Sequence, residues 1–159
     1  MEILVADPHA TASDASIQHI PLDDLLARAD FVVCLAVANE ETENLIGRAA
    51  LARMQRHAFF INLSRGNLVH EAALSEALRD NRIVGAAMDV GRAPDQMPTP
   101  ELAKLPNVIA TPHIGGLTPP AIESQALETV RQVEAIVAGR VPAGAVNAER
   151  WKRRPLAQA

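Results

Sequence analysis

Three side chains that handle anions or protons follow apolar runs of strand length. Arg65 follows Phe59-Phe60-Ile61-Asn62-Leu63-Ser64, Asp89 follows Ile83 to Met88, and His113 follows Val108-Ile109-Ala110 through Thr111-Pro112. An arginine offers a planar fork of donors that matches a carboxylate. Arg65, presented in Ser64-Arg65-Gly66, therefore reads as an anchor for a substrate anion, or else as a surface arginine paired with a nearby acid. His113 lies in Thr-Pro-His-Ile-Gly-Gly, where the proline sets the approach and the glycines allow close backbone contact. An exposed imidazole there can take and return a proton near neutral pH. The alternative is a structural histidine bonded to a loop carbonyl. His9, His19, His57 and His70 read as surface or cap residues, and no grouping of His, Cys and carboxylates has the spacing of a metal site.

These residues need a scaffold that brings strand ends together. Ile3-Leu4-Val5, Phe31 to Val37, Phe59 to Leu63, Ile83 to Met88 and Val108-Ile109-Ala110 are continuous apolar runs rather than alternating ones. Helical patterns separate them: Asp23 to Ala29, one or two helices between Thr42 and Met54, and a helix to about Asp80. A helical turn at Leu102–Leu105 and a long helix from Pro119 to Gly139 complete the set, with Thr118 as its cap. Alternating strand and helix with strands apolar throughout argue for a doubly wound parallel α/β sheet covered on both faces. In such a sheet ligands sit outside the carboxyl ends of the strands, where Arg65, Asp89 and His113 would meet. Asp7 ends the first run in the same way. It reads as an acid for ribose hydroxyls or as a turn residue before Pro8.

The bulk properties narrow the field. A chain of 159 residues is one domain's worth, nearly half of it apolar and without tyrosine. The net charge of −4 and the lack of a basic cluster before the last residues argue against nucleic acid. No run approaches a membrane span and no signal peptide opens the chain. The single cysteine, Cys34, excludes an internal disulfide, reads as a buried inert thiol and fits a cytoplasmic protein. The basic tail, with Arg150, Lys152, Arg153 and Arg154, reads as a solvated end.

Three ordered segments carry a family resemblance. Ile61 to Leu74, Gly85-Ala86-Ala87-Met88-Asp89-Val90, and Leu105 to Gly116 resemble the D-isomer-specific 2-hydroxyacid dehydrogenases. The likeness starts at Val5-Ala6-Asp7-Pro8 and reaches Val146-Asn147. It implies a Rossmann-like fold, NAD as cofactor, and hydride transfer at C2 of a small 2-hydroxy or 2-keto acid such as glyoxylate or hydroxypyruvate. By that resemblance Arg65 holds the substrate carboxylate and carbonyl, and His113 moves the hydroxyl proton. Asp7 is similar to the adenosine-ribose acid, and Asp89 to the residue on the nicotinamide side. Ala36, Val37 and Ala38 would run beneath the adenosine half. Ser64, Arg65, His113 and Gly115 complete the implied cofactor contacts.

Two departures from the family pattern shape the expectations. The family's catalytic Glu falls on Pro94 in an ungapped match and on Ala93 after a one-residue shift. Asp95 is the only nearby acid and is expected either to replace that Glu or to be a solvated loop residue. The eight glycines, at 47, 66, 85, 91, 115, 116, 139 and 144, form no G-x-G-x-x-G, the loop that cradles a pyrophosphate. The chain thus reads as a partial NAD-binding domain over residues 1–139, lacking the first βα unit and the substrate domain. Residues 140–159 resemble the return segment to that domain. An apolar edge and an uncovered sheet face are expected, and with them homodimerisation or another association. The alternative to an active or inactive truncated dehydrogenase is a non-catalytic α/β association or weak nucleotide-binding module.

Overall fold

The computed structural model describes residues 1–10 and 16–151, so Lys152, Arg153 and Arg154 lie outside the described residues. Two compact units are present, Met1–Gly115 and Gly116–Ala159. The first is an α/β unit with six described strands: β1 (Ile3–Val5), β2 (Ile17–His19), β3 (Phe31–Cys34), β4 (Phe59–Asn62), β5 (Gly85–Met88) and β6 (Val108–Ala110). Its helices are α1 (Leu22–Arg28), α2 (Arg48–Arg53), α3 (Glu71–Arg79) and the single turn α4 (Pro100–Ala103), with a 3₁₀ turn at Gly66–Leu68.

All strand pairs are parallel, in two separate sheets ordered β1-β2 and β3-β4-β5-β6. In the larger sheet Cys34, Asn62, Met88 and Ala110 stand in one row, so the segments that follow these strands leave at one edge. Side chains alternate across a strand. One face therefore carries Val32, Phe60, Asn62, Ala86 and Met88, all buried. Leu26, Leu51, Leu74, Leu78 and Leu102 from the four helices belong to the same buried cluster. The other face is open: Phe31 is 61% and Ile109 71% exposed, and Phe31 stacks on Phe59 at 5.6 Å between ring centres. β1 pairs with β2 alone and β3 with β4 alone among the described residues, leaving each with a free edge. Cys34 is buried, and that burial pushes its thiol above the ordinary range. It suits an inert core residue.

The expectation of a sheet covered on both faces needs correction: Phe31, Val33 and Ile109 are exposed on one of them. The sequence does not announce β2, because Ile17-Gln18-His19 alternates over only three residues. Between Thr42 and Met54, where one or two helices are expected, one forms, α2. The Asn39 side chain accepts from the Glu41 and Thr42 amides, and Asn44 takes φ +56°, so the start of that stretch is turns. In the second unit, α5 (Pro119–Val137) begins after Thr118, whose side chain makes no capping bond. Prolines fill the first two helical positions, so the N2 amide that a capping hydroxyl could accept from is absent. At its other end Gly139, at φ +69°, closes α5 with bonds from Gly139 N to Ile136 O and Arg140 N to Ala135 O. No helix among the described residues is long and apolar enough to cross a membrane.

Candidate active site

The turn that presents Arg65 is built by one buried side chain. Asn62 ends β4; its carboxamide oxygen accepts from Ser64 N at 3.1 Å and its NH2 donates to Arg65 O at 2.9 Å. A buried amide satisfied on both sides fixes the turn, because leaving either half unpaired would cost about 1–3 kcal/mol. Gly66 follows with its α-carbon against the Gly91 backbone, which a Cβ would strike. Arg65 itself is exposed, with extended backbone (φ −142°, ψ 148°), and its Nη1 donates to Ser64 O at 2.8 Å. It pairs with no acid among the described residues, so most of its five N–H donors remain available to an anion. Ser64 Oγ donates to Ala36 O at 2.7 Å and ties this turn to the Ala36–Ala38 stretch after β3.

An open cleft of about 440 Å³ lies beside it, lined by Arg65, Gly66, Asn67, Gly91, Arg92 and Gln96 among others. Arg92 closes the far wall as a staple. Its Nε donates to Val69 O, and the two N–H groups of its Nη2 are shared among Glu43 Oε1, Asn44 Oδ1 and Asn67 O, all at 2.7–2.8 Å. Arg92 N also donates to Glu71 Oε1. The bonds at Glu43 hold its carboxylate below the usual range, with Arg92 as the leading cause. Asp95 sits further along this loop, exposed, accepting from Met97 N at 3.1 Å. Among the described residues no hydrogen bond or ion pair joins it to His113.

The His113 segment is organised by Asp89. The carboxylate is 8% exposed and accepts from Thr111 Oγ1 and Ile114 N through Oδ1 and from Gly115 N through Oδ2, at 2.5–2.9 Å. Between these donors His113 takes φ +54°, a left-handed conformation uncommon for a side-chain-bearing residue. A Cβ at Gly115 would stand 2.9 Å from Asp89 Oδ2 and push that carboxylate aside.

Burial pushes the Asp89 carboxyl up. The bonds from Thr111, Ile114 and Gly115 and the charge of His113 outweigh it and hold the group below the ordinary Asp value. A group depressed in the folded state stabilises the fold above its unfolded value, near 4, and loses that contribution as pH falls through the folded value. Urea midpoints measured from about pH 6 to pH 3 are therefore expected to fall, and to fall less in Asp89→Asn, which has no carboxyl to titrate.

Asp7 stands apart from this edge, after β1 in the two-stranded sheet. It is exposed, and its Oδ1 accepts from His9 N at 2.8 Å in a local turn, while Oδ2 has no partner among the described residues. Of the other histidines, His70 caps α3 by accepting from Ala73 N, and His57 lies 2.7 Å from Asp30. No cluster of three metal-binding side chains occurs among the described residues. The larger sheet thus brings Ala36–Ala38, Ser64, Arg65, Asp89, His113 and Gly115 to one edge. Sequence reading gives no role to Asn62, Arg92 or Thr111. Of these only Asn62, a lone amide closing an apolar strand, carries a visible signal.

Residues 1–115 match the family described as D-isomer specific 2-hydroxyacid dehydrogenase, NAD binding domain. The chain belongs to this family. Among its relatives, the glyoxylate/hydroxypyruvate reductase B of Enterobacter agglomerans is 41% identical over 133 residues, 82% of this chain and 40% of the relative. The glyoxylate reductase of Korarchaeum cryptofilum is 34% identical over 142 residues, 89% of this chain and 43% of the relative. Of solved structures, a protein of Thermus thermophilus superposes with a TM-score of 0.81 at 33% identity, covering 90% of this chain and 45% of that one. The Lactobacillus jensenii D-lactate dehydrogenase with NAD+ gives 0.80 at 28% identity, with 89% and 47% covered. This member of the family therefore spans less than half the length of these relatives.

Proposed function

We propose that this chain carries the redox and substrate-anion half of an NAD-dependent D-2-hydroxyacid dehydrogenase, reducing a small 2-keto acid of the glyoxylate or hydroxypyruvate kind. One observation supports this reading above the rest. Arg65, unpaired with any acid among the described residues, and His113, held on a turn by Asp89, leave the same edge of one parallel sheet.

The cofactor, when bound, supplies a hydride to the keto carbon. The residues present fit its ends and not its middle. Asp7 Oδ2, without a partner among the described residues, would take ribose hydroxyls, and its charge disfavours a 2′-phosphate, hence NAD. Ala36, Val37 and Ala38 would run beneath the adenosine half, with Ser64 tied to Ala36, and Asp89 and Gly115 would face the nicotinamide side; residues 1–159 hold no glycine loop for the pyrophosphate.

Arg65 would grip the substrate carboxylate with its fork and place a donor on the keto oxygen, where negative charge develops during reduction. His113, as imidazolium, gives its proton to that oxygen, and in the reverse direction takes it. Asp95 is the acid assigned to assist the imidazole; its Oδ1 accepts from Met97 N, and its Oδ2 is the oxygen that would turn to His113. The open sheet face and the free edge of β3 would serve homodimerisation or association with another chain. Its lone buried thiol suits the cytoplasm.

NADH oxidation by the purified chain with glyoxylate or hydroxypyruvate tests this reading. Turnover above the blank is expected, with Asp95→Asn changing the pH–rate profile. Absence of turnover by a folded chain would favour a non-catalytic association or weak nucleotide-binding module. An unchanged profile would remove Asp95 from the site.

A further inference from the structure

We infer that Asp89 is a positioning residue for His113, setting the backbone conformation from which the imidazole meets the substrate. The proton role of His113 rests on the function proposed above; the geometry of its turn does not. A carboxylate has about four lone-pair positions, and three are taken here. Oδ1 receives the Thr111 hydroxyl and the Ile114 amide, and Oδ2 receives the Gly115 amide. All three donors come from the five-residue segment that carries His113, while the backbone N–H of Asp89 donates to Asn62 O.

This arrangement explains the left-handed His113. A non-glycine residue at φ +54° costs free energy and persists only where its surroundings over-determine it. Amides on both sides of Ile114 converge on one buried anion, a geometry that an extended His113 would break. His113 N adds a bond to Thr111 O at 3.0 Å that tightens the same turn. Charge-assisted bonds of this kind are about twice as strong as neutral ones. The single lone pair left on Oδ2 is enough for one further donor, so a contact with the nicotinamide side stays compatible with this role.

An asparagine at this position presents an NH2 to at least one of the three donors, so Asp89→Asn must break part of the set. In the ¹⁵N,¹³C-labelled 159-residue chain, the expected result is at least a roughly tenfold loss of exchange protection at the Ile114 and Gly115 amides. The His113 backbone carbon shifts should lose the signature of positive φ. Met88→Leu, a substitution in the adjoining core, should leave those resonances in place even where it lowers stability. Thr111→Val, which keeps the charge and removes one donor, should give a smaller change in the same direction, and it carries the test if Asp89→Asn does not fold. In the reduction assay the loss should fall on kcat, with KM changed little. Unchanged protection and unchanged His113 shifts in the folded variants would overturn the proposal, as would a raised KM with intact kcat. The spectra need neither cofactor nor turnover, so a chain that fails the reduction assay still decides the positioning role.

Discussion

His113→Gln is expected to lower kcat for NADH-dependent glyoxylate reduction by roughly 10²–10⁴-fold, the usual contribution of a positioned acid–base group. Glutamine keeps a polar side chain of similar reach but neither gains nor gives up a proton near neutral pH. The backbone of the turn is held through Asp89, Thr111, Ile114 and Gly115, and none of those bonds uses the imidazole. The variant should therefore fold as the parent does, and KM for the keto acid, which the proposed mechanism assigns to Arg65, should change little. Stopped assays on matched, folded samples check this. A variant as active as the parent would take His113 out of the chemistry.

The second large effect is on the fold. Phe60 is fully buried at the centre of β4, paired in register with Val32 and Ala86, and belongs to the cluster that joins the helices to the sheet. Phe60→Ala removes its transfer free energy and leaves a cavity, at a cost of about 3–5 kcal/mol. Whole domains have a net stability of about 5–15 kcal/mol. The large sheet here buries one face only, so its margin is expected at the low end of that range. Urea unfolding followed by circular dichroism should show a midpoint shift large enough to leave the variant mostly unfolded near body temperature. A shift below about 1 kcal/mol would mean that the core does not centre on this side chain.

How much the sequence makes legible follows from the range of the interactions concerned. The runs Phe31 to Val37 and Phe59 to Leu63 announce parallel strands because nearly every position is apolar, and the observed β3 and β4 begin at the same residues, though each buries one face only. Arg65 and His113 are visible because a charged or titratable group directly after such a run has few structural uses. The apolar spacing from Thr42 to Met54 predicts one or two helices, and one forms, at Arg48–Arg53. The local bonds of Asn39 and the left-handed Asn44, which keep the start of that stretch in turns, are invisible to periodicity. Arg92 carries no such signal at all: its partners Glu43 and Asn44 lie 49 and 48 residues away. The same holds for the inner role of Asp89, whose donors come from 22 to 26 residues downstream. Its place at a strand end is legible, but the atoms it holds are not.

A calorimetric titration of the 159-residue chain with NADH tests most directly whether this sheet edge is a dinucleotide site. With contacts to the two ends of the cofactor and no glycine loop for its pyrophosphate, saturable binding is expected at roughly millimolar concentration, about 4 kcal/mol. Asp7→Ala should weaken it further. No saturable heat from a folded chain at several millimolar NADH would contradict the account, leaving a family fold without the family's cofactor.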